Sequence, residues 1–154
     1  MKKYYLLIAA LVVSLLFGTY TFLGQRQQKR YADEKFVECI GQVASCFAVD
    51  YSKVNDDIKN YNLSKAASNL QAARDILPLT SYAKVQSKEP NTANAISDLY
   101  LCMTVERTTN STNRQIAVTE KEEAIFRCLE NIKMNPSNKG NWDALSKITD
   151  GISY

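Results

Sequence analysis

The sequence predicts an all-α protein, with a single N-terminal transmembrane helix followed by a small helical bundle or helix-hairpin array. Three observations carry this prediction. Residues 4–23 form an apolar run without a charged side chain. Beyond this run, apolar residues recur at the three- and four-residue spacing of buried helix faces. No segment longer than three or four residues alternates apolar and polar residues as a half-buried strand does.

The apolar run contains 20 residues, which as a helix would span the roughly 30 Å hydrocarbon core of a bilayer. Its polar side chains include the hydroxyls of Thr19 and Thr21, which can return a hydrogen bond to the preceding helical turn. The residues that we expect at the membrane–water interface are basic or amphipathic: Lys2, Lys3, Tyr4, Tyr5, Tyr20, Arg26, Lys29 and Arg30.

A cleaved secretory signal is the alternative interpretation of this run, because two lysines precede it. A cleavage site needs two small residues separated by one position. Gly18 and Gly24 could each supply the second small residue, but the first position would then be Leu16 or Phe22, which are large. An uncleaved anchor is therefore favoured. Positive charges after the run favour a cytoplasmic C-terminal part by simple counting. The short basic N-terminal tail is instead typical of bacterial signal-anchors, so we predict a cytoplasmic N-terminus and an extracytoplasmic domain.

The predicted organisation has three parts. Residues 1–24 are the membrane anchor, residues 25–35 a juxtamembrane helical linker, and residues 36–154 the soluble α-helical domain. The linker lacks Gly and Pro and is rich in helix formers, so the membrane helix can continue into the domain. Its continuation carries an apolar stripe of Phe36, Ile40, Val43 and Phe47.

Two helices are predicted between Val54 and Pro78, because the apolar stripe slips by one position near residues 60–64. The proline ends the second of them. The segment 79–90 is predicted to be a link, and a helix begins at residues 90–92. It carries Ile96, Leu99, Tyr100 and Met103.

The stretch 108–113 has the composition of a loop. Thr119 and Glu122 have the spacing of a capping box, which predicts a helix from about Glu120 to the Asn135-Pro136 pair. The stripe of this helix comprises Ala124, Ile125, Cys128, Leu129 and Ile132. A last short helix is predicted from Trp142 to Thr149, before Gly151.

A spacing of small and apolar residues before a proline occurs at Ala66, Leu70, Ala73 and Pro78, and residues 124–145 repeat it more loosely. This spacing resembles the second helix of tetratricopeptide-like helix-hairpin repeats. The resemblance covers around residues 63–78 and 124–145, and it implies packed helix hairpins. The two prolines, Pro78 and Pro136, are 58 positions apart, which is not a multiple of the 34-residue period. An ordinary helical bundle therefore stays open as the alternative.

Four cysteines follow the apolar run, an even number that suits an oxidising compartment. Cys39 and Cys46 would lie two turns apart on one helix and could not bond to each other. Cys102 and Cys128 lie in two successive predicted helices. The sequence position midway between the two cysteines falls in the polar stretch that joins these helices. An antiparallel hairpin would bring these two together, so we predict that they pair. Crossed pairings and reduced core cysteines remain open.

No catalytic, cofactor-binding or metal-ligating residue is predicted. The chain has no His, and no nucleotide-binding or hydrolase motif is present. Glu120, Glu122 and Glu123 are best explained by the preference of acidic residues for the first turn of a helix. Two of the 19 basic residues precede the run, which leaves 17 against 16 acidic residues. This near balance argues against nucleic-acid binding.

We therefore expect a membrane-anchored, non-catalytic protein–protein interaction module, an accessory or inhibitory component of an envelope complex. Its expected partners are membrane lipid through residues 4–23 and an unidentified protein. The alternatives are a cell-envelope hydrolase that uses a carboxylate and a structural stalk that oligomerises. The sequence leaves the oligomeric state open.

Overall fold

The computed structural model describes residues 2–83, 91–104 and 111–153. Within these ranges the chain is helical and contains no strand, which confirms the all-α prediction. The elements in chain order are α1 (Lys2–Cys46), α2 (Asp56–Ile76), a 3₁₀ turn (Leu77–Leu79), α3 (Asn91–Thr104), α4 (Ser111–Glu120), α5 (Glu122–Met134) and α6 (Lys139–Ser153).

Helix α1 is continuous from the apolar run into the domain, as the linker composition predicts. Its C-terminal part is buried from Ala32 onward, through Phe36, Ile40 and Val43. Burial therefore begins slightly before the predicted domain boundary at residue 36. The helix does not break at Gly41, so Cys39 and Cys46 stay on one rigid element.

Between residues 11 and 23, the described side chains of α1 contribute nothing to this core. Between residues 11 and 23, nine large apolar side chains are between 48% and 78% exposed: Leu11, Val12, Val13, Leu15, Leu16, Phe17, Tyr20, Phe22 and Leu23. The hydroxyl of Thr19 donates to the carbonyl of Leu16 at 2.9 Å, and that of Thr21 lies 3.0 Å from the carbonyl of Phe17.

Among the residues that the structure describes, no helix contains an apolar stretch long enough to cross a membrane. The predicted transmembrane helix 4–23 is therefore not supported by the structure.

Helix α2 corrects the prediction of two helices before Pro78. The side-chain oxygen of Asn55 accepts a hydrogen bond from the Ile58 N–H at 2.9 Å and caps a single helix. Ile58 and Tyr61 are exposed, whereas Leu63 begins the buried stripe. The apparent slip in the pattern thus separates an exposed apolar patch from the core face. As predicted, the helix ends just before Pro78.

The region before α5 corrects two further predictions. The predicted loop 108–113 lies partly outside the described residues, but Ser111–Glu120 is helix α4. The Thr119 hydroxyl donates to the Ile116 carbonyl at 2.8 Å within α4, so it cannot cap α5. The carboxylate of Glu122 instead accepts the Tyr51 N–H at 2.7 Å. The predicted capping box is therefore wrong.

The last helix, α6, is longer than predicted. It begins at Lys139 and continues through Gly151 to Ser153. Trp142 and Leu145 are buried, and the Trp142 indole N–H donates to the Pro136 carbonyl at 2.8 Å. The indole thereby satisfies a carbonyl in the turn that precedes its own helix.

The helices form a closed bundle. Helix α1 packs against α2 and α5, while α3 packs against α2 and α6, and α5 packs against α6. Helix α4 contacts α3 and α6. Because α5 returns to α1, the arrangement differs from a repeat array, in which each unit contacts only its sequence neighbours.

The predicted disulfide between Cys102 and Cys128 is wrong. All four cysteines are thiols in the structure. Helix α4 occupies the stretch that was expected to join a hairpin, and α3 and α5 find their main neighbours in other helices. The two cysteines are therefore not brought together, and disulfides no longer argue for an oxidising compartment.

We expect four reactive thiols per chain in denaturant without prior reduction, measured with a chromogenic disulfide reagent. In the native protein the reaction is expected to be slow at neutral pH, because burial raises the pKa of the Cys39, Cys46 and Cys128 thiols. The control is the same count after reduction. Fewer than four thiols before reduction would contradict the structure.

The free energy of unfolding is expected to fall as the pH rises above about 9. Burial raises the pKa of three thiols above the ordinary value of 9.0 and that of the Tyr51 phenol above 10.0. The folded protein therefore holds these protons more tightly, and their stabilising contribution is lost once the unfolded chain can release them. Urea denaturation from neutral pH to about pH 11 measures this loss.

The variant Tyr51→Phe isolates the contribution of the phenol. Its hydroxyl donates to the Cys46 carbonyl at 3.0 Å, at the end of α1. We expect a cost of about 1 kcal/mol at neutral pH and a flatter decline at alkaline pH. An unchanged alkaline decline in this variant would show that Tyr51 does not contribute to it.

Candidate functional site

A concave surface lies where α1 leaves the domain, between this helix and the 3₁₀ turn that follows α2. Its volume is about 820 Å³. We call it the α1 notch, and its lining residues are Gln25, Gln27, Gln28, Lys29, Tyr31, Ala32, Lys35, Ile76, Pro78 and Leu79. The two walls come from segments far apart in the sequence, so the notch exists only in the folded domain.

A carboxylate holds the two walls of the notch together. Asp33 on α1 accepts the Ser81 N–H at 2.7 Å with one oxygen and the Ser81 hydroxyl at 2.8 Å with the other. This clamp fixes the segment just after the 3₁₀ turn against α1. Tyr82 continues the contact, since its ring lies 5.8 Å from that of Phe36 between centroids. Leu79, which is exposed two residues before Ser81, is therefore held in a fixed position relative to α1.

The notch combines apolar side chains with cations. Tyr31 and Leu79 are 64% and 65% exposed, and Lys29 and Lys35 belong to the same lining. The Lys35 ammonium lies 5.9 Å from the Tyr31 ring centroid and 2.6 Å from a Glu38 carboxylate oxygen. The hydrogen bond to Glu38 raises the pKa of Lys35, which therefore keeps its charge.

The predicted interface residues fall in three groups. Arg26, Lys29 and Arg30 are exposed on α1, and of these Lys29 lines the notch. Tyr20 is exposed within the apolar run. The side chains of Lys2, Lys3, Tyr4 and Tyr5 lie outside the described part of the structure. Sequence reasoning missed Tyr31 and Leu79, and the only local signal for Leu79 is an apolar residue directly after Pro78.

A second concave surface, the α2 groove, lies between α2, α3 and α4. Its volume is about 900 Å³. Its lining is largely polar and comprises Asn60, Leu63, Ser64, Ala67, Ser68, Gln71, Tyr100, Met103, Thr104 and Gln115. The amides and hydroxyls of such a groove can exchange hydrogen bonds with a bound chain. Tyr61, next to the groove on α2, is exposed.

Two of the three glutamates considered in the sequence analysis have partners in the structure, and the third, Glu120, is the last residue of α4. Besides Glu122, which binds the Tyr51 N–H, Glu123 pairs with Arg127 one turn along α5. Within residues 2–83, 91–104 and 111–153, no group of three or more His, Cys, Asp or Glu side chains could hold a metal ion. The chemistry that these surfaces offer is binding through apolar, cationic and amide groups.

No known protein family, curated protein sequence or solved structure matches the chain. The exposed part of α1, the α1 notch and the α2 groove are the features of the structure that bear on its function.

Replacing Asp33 with alanine is expected to destabilise the domain by about 1 to 2 kcal/mol, because two charge-assisted hydrogen bonds across partly exposed segments are lost. Thermal and urea unfolding measure the change. Ser81→Ala removes only the hydroxyl bond and is expected to cost less. If Asp33→Ala lowered the free energy of unfolding no more than Ser81→Ala, the hydrogen bond from the Ser81 N–H would contribute nothing to stability.

Proposed function

We propose that this protein is a membrane-anchored, non-catalytic interaction module. In this proposal residues 4–23 lie in a bilayer, and the helical domain docks a protein partner as an accessory or inhibitory component of an envelope complex. The observation that carries the proposal is the set of nine large apolar side chains exposed on α1 between residues 11 and 23.

An exposed apolar helix is stabilised by burial in an apolar environment, because each Å² of apolar surface kept in water costs about 25 cal/mol. The described domain does not provide one for residues 11–23, since none of the α1 side chains described before Ala32 is part of its core. Lipid chains would cover all sides of the helix at once. The hydroxyl bonds of Thr19 and Thr21 to the preceding turn suit this environment, because they pair polar atoms within the helix itself.

Tethering favours a docking function. A domain held at the membrane meets membrane-bound partners at a high effective concentration, so modest contacts suffice. Two exposed positions on different helices are available for a test. Tyr61 is exposed beside the α2 groove, and Met134 is 82% exposed at the end of α5.

Photocrosslinking in native membranes tests the proposed docking. A photoreactive phenylalanine analogue replaces Tyr61 in one protein and Met134 in another, both at exposed positions that leave the core intact. We expect a discrete protein adduct from one position and not from the other, which would also locate the docking surface. The absence of a protein adduct at both positions would contradict the docking role.

The proposed orientation places the domain outside the cytoplasm. Met134→Cys introduces a well-exposed thiol, which a membrane-impermeant maleimide reaches in intact cells only if the domain is outside. The unsubstituted protein, with its half-buried or buried cysteines, is the control. Labelling that requires lysis would place the domain in the cytoplasm and would make the basic residues after the run the better guide to topology.

A further inference from the structure

We propose that the α1 notch is a binding site for an anionic phospholipid, so that the helical domain itself rests on the membrane surface. The inference depends on the proposed anchor, because only a chain held in the bilayer brings the notch to the lipid headgroups. It adds a second membrane contact, made by residues 76–79, far along the chain from the apolar run.

Distance along α1 places the notch at headgroup level. The apolar run ends at Leu23, and the α1 wall of the notch extends from Gln25 to Lys35. At about 1.5 Å per residue, this wall lies roughly 3 to 18 Å beyond the end of the run. The headgroup layer occupies about 5 to 8 Å on each side of the hydrocarbon core. The near part of the notch therefore overlaps the headgroup layer.

The apolar wall of the notch suits the upper part of a lipid molecule. Leu79 stands exposed at the end of a short proline-containing turn, and Ile76 and Pro78 extend the same wall. Across the notch, the Tyr31 ring has the amphipathic character that favours the membrane interface. The clamp between Asp33 and Ser81 holds this wall in place, so that little ordering is needed on binding.

Charge selects the kind of lipid. Residues 25–35 contain four basic and two acidic side chains, and one of the acids, Asp33, is engaged with Ser81. Lys29 and Lys35 line the notch. Lys35 is paired with Glu38, so Lys29 is the lining cation with no carboxylate partner among the described residues. Arg26 and Arg30 are exposed on the same segment of α1 and add to its positive charge. Cations beside an apolar wall complement a phosphodiester that carries acyl chains, and they favour a lipid with net negative charge over a zwitterionic one.

The test uses tryptophan fluorescence of the full chain in vesicles that contain a brominated phosphatidylcholine, with or without phosphatidylglycerol. The single native tryptophan, Trp142, is buried and supplies a constant background. Leu79→Trp reports on the notch, and Phe17→Trp reports on the proposed anchor. Met134→Trp is the control, because its neighbour Lys133 lies against Gly41, about 27 Å along α1 from Leu23.

We expect the bromolipid to quench the tryptophans at positions 17 and 79 but not the one at 134, with quenching at 79 increasing with phosphatidylglycerol. Adding Lys29→Gln to the Leu79→Trp protein is expected to raise about fivefold the phosphatidylglycerol fraction that gives half-maximal quenching.

Quenching at position 17 without quenching at position 79 would overturn the notch site and leave the proposed anchor intact. Equal quenching at 79 without phosphatidylglycerol would overturn the preference for anionic lipid. Absence of quenching at 17 would overturn the anchor, and with it this inference.

Discussion

Arginines at Val13 and Leu16 are expected to release the protein from membranes. Both side chains are exposed near the middle of the apolar run, where an arginine costs about 3 kcal/mol in a bilayer. Two such substitutions lower the partition into the membrane by more than about a thousandfold. The measurement is the fraction that sediments with membranes after an alkaline carbonate wash.

The matched control exchanges the same positions conservatively, as Val13→Leu with Leu16→Val, and is expected to sediment fully. Neither position contributes to the core, so the circular dichroism of the domain should be the same in both proteins. If the arginine variant still sedimented after the wash, residues 4–23 could not be what holds the protein on the membrane.

Phe36→Ala is expected to produce the largest loss of stability in the domain, about 3 to 5 kcal/mol. The ring is fully buried, and its centroid lies 5.8 Å from that of Tyr82 and 6.2 Å from that of Trp142. The substitution leaves a cavity where α1, α6 and the segment after the 3₁₀ turn meet. The midpoint of thermal unfolding is expected to fall by about 10 °C.

Tyr31→Ala on the same helix is the control for this substitution, because Tyr31 is largely exposed. It is expected to change the free energy of unfolding by less than about 0.5 kcal/mol. Similar losses at positions 31 and 36 would mean that the inward face of α1 has been assigned incorrectly.

The sequence-based predictions relied on the spacing of apolar residues along the chain. This spacing identified the buried face of α1 correctly. Phe36, Ile40 and Val43 are all fully buried, as their spacing predicts. The same spacing also occurs on exposed faces, since Ile58 and Tyr61 continue the helical spacing of apolar residues in α2 and are exposed. An apolar pattern does not distinguish a core from a surface that awaits a partner.

The features that sequence reasoning missed depend on which segments meet in space. The bond from Ser81 to Asp33 joins residues 48 positions apart, so no local pattern shows that the basic part of α1 acquires an apolar wall. The predicted disulfide failed for the same reason, since it assumed that consecutive helices would be neighbours. Lys29 was identified from sequence, but the notch that it lines was not.

Helix α1 carries the chain from the apolar run into the core without a flexible joint. The apolar run and the domain are therefore rigidly coupled. A rotation of the run about the helix axis rotates the bundle by the same angle. One residue inserted between Gly24 and Tyr31 would turn the domain by about 100° and shift it by about 1.5 Å. The face that the bundle shows to its surroundings is thus set by the number of residues in this segment.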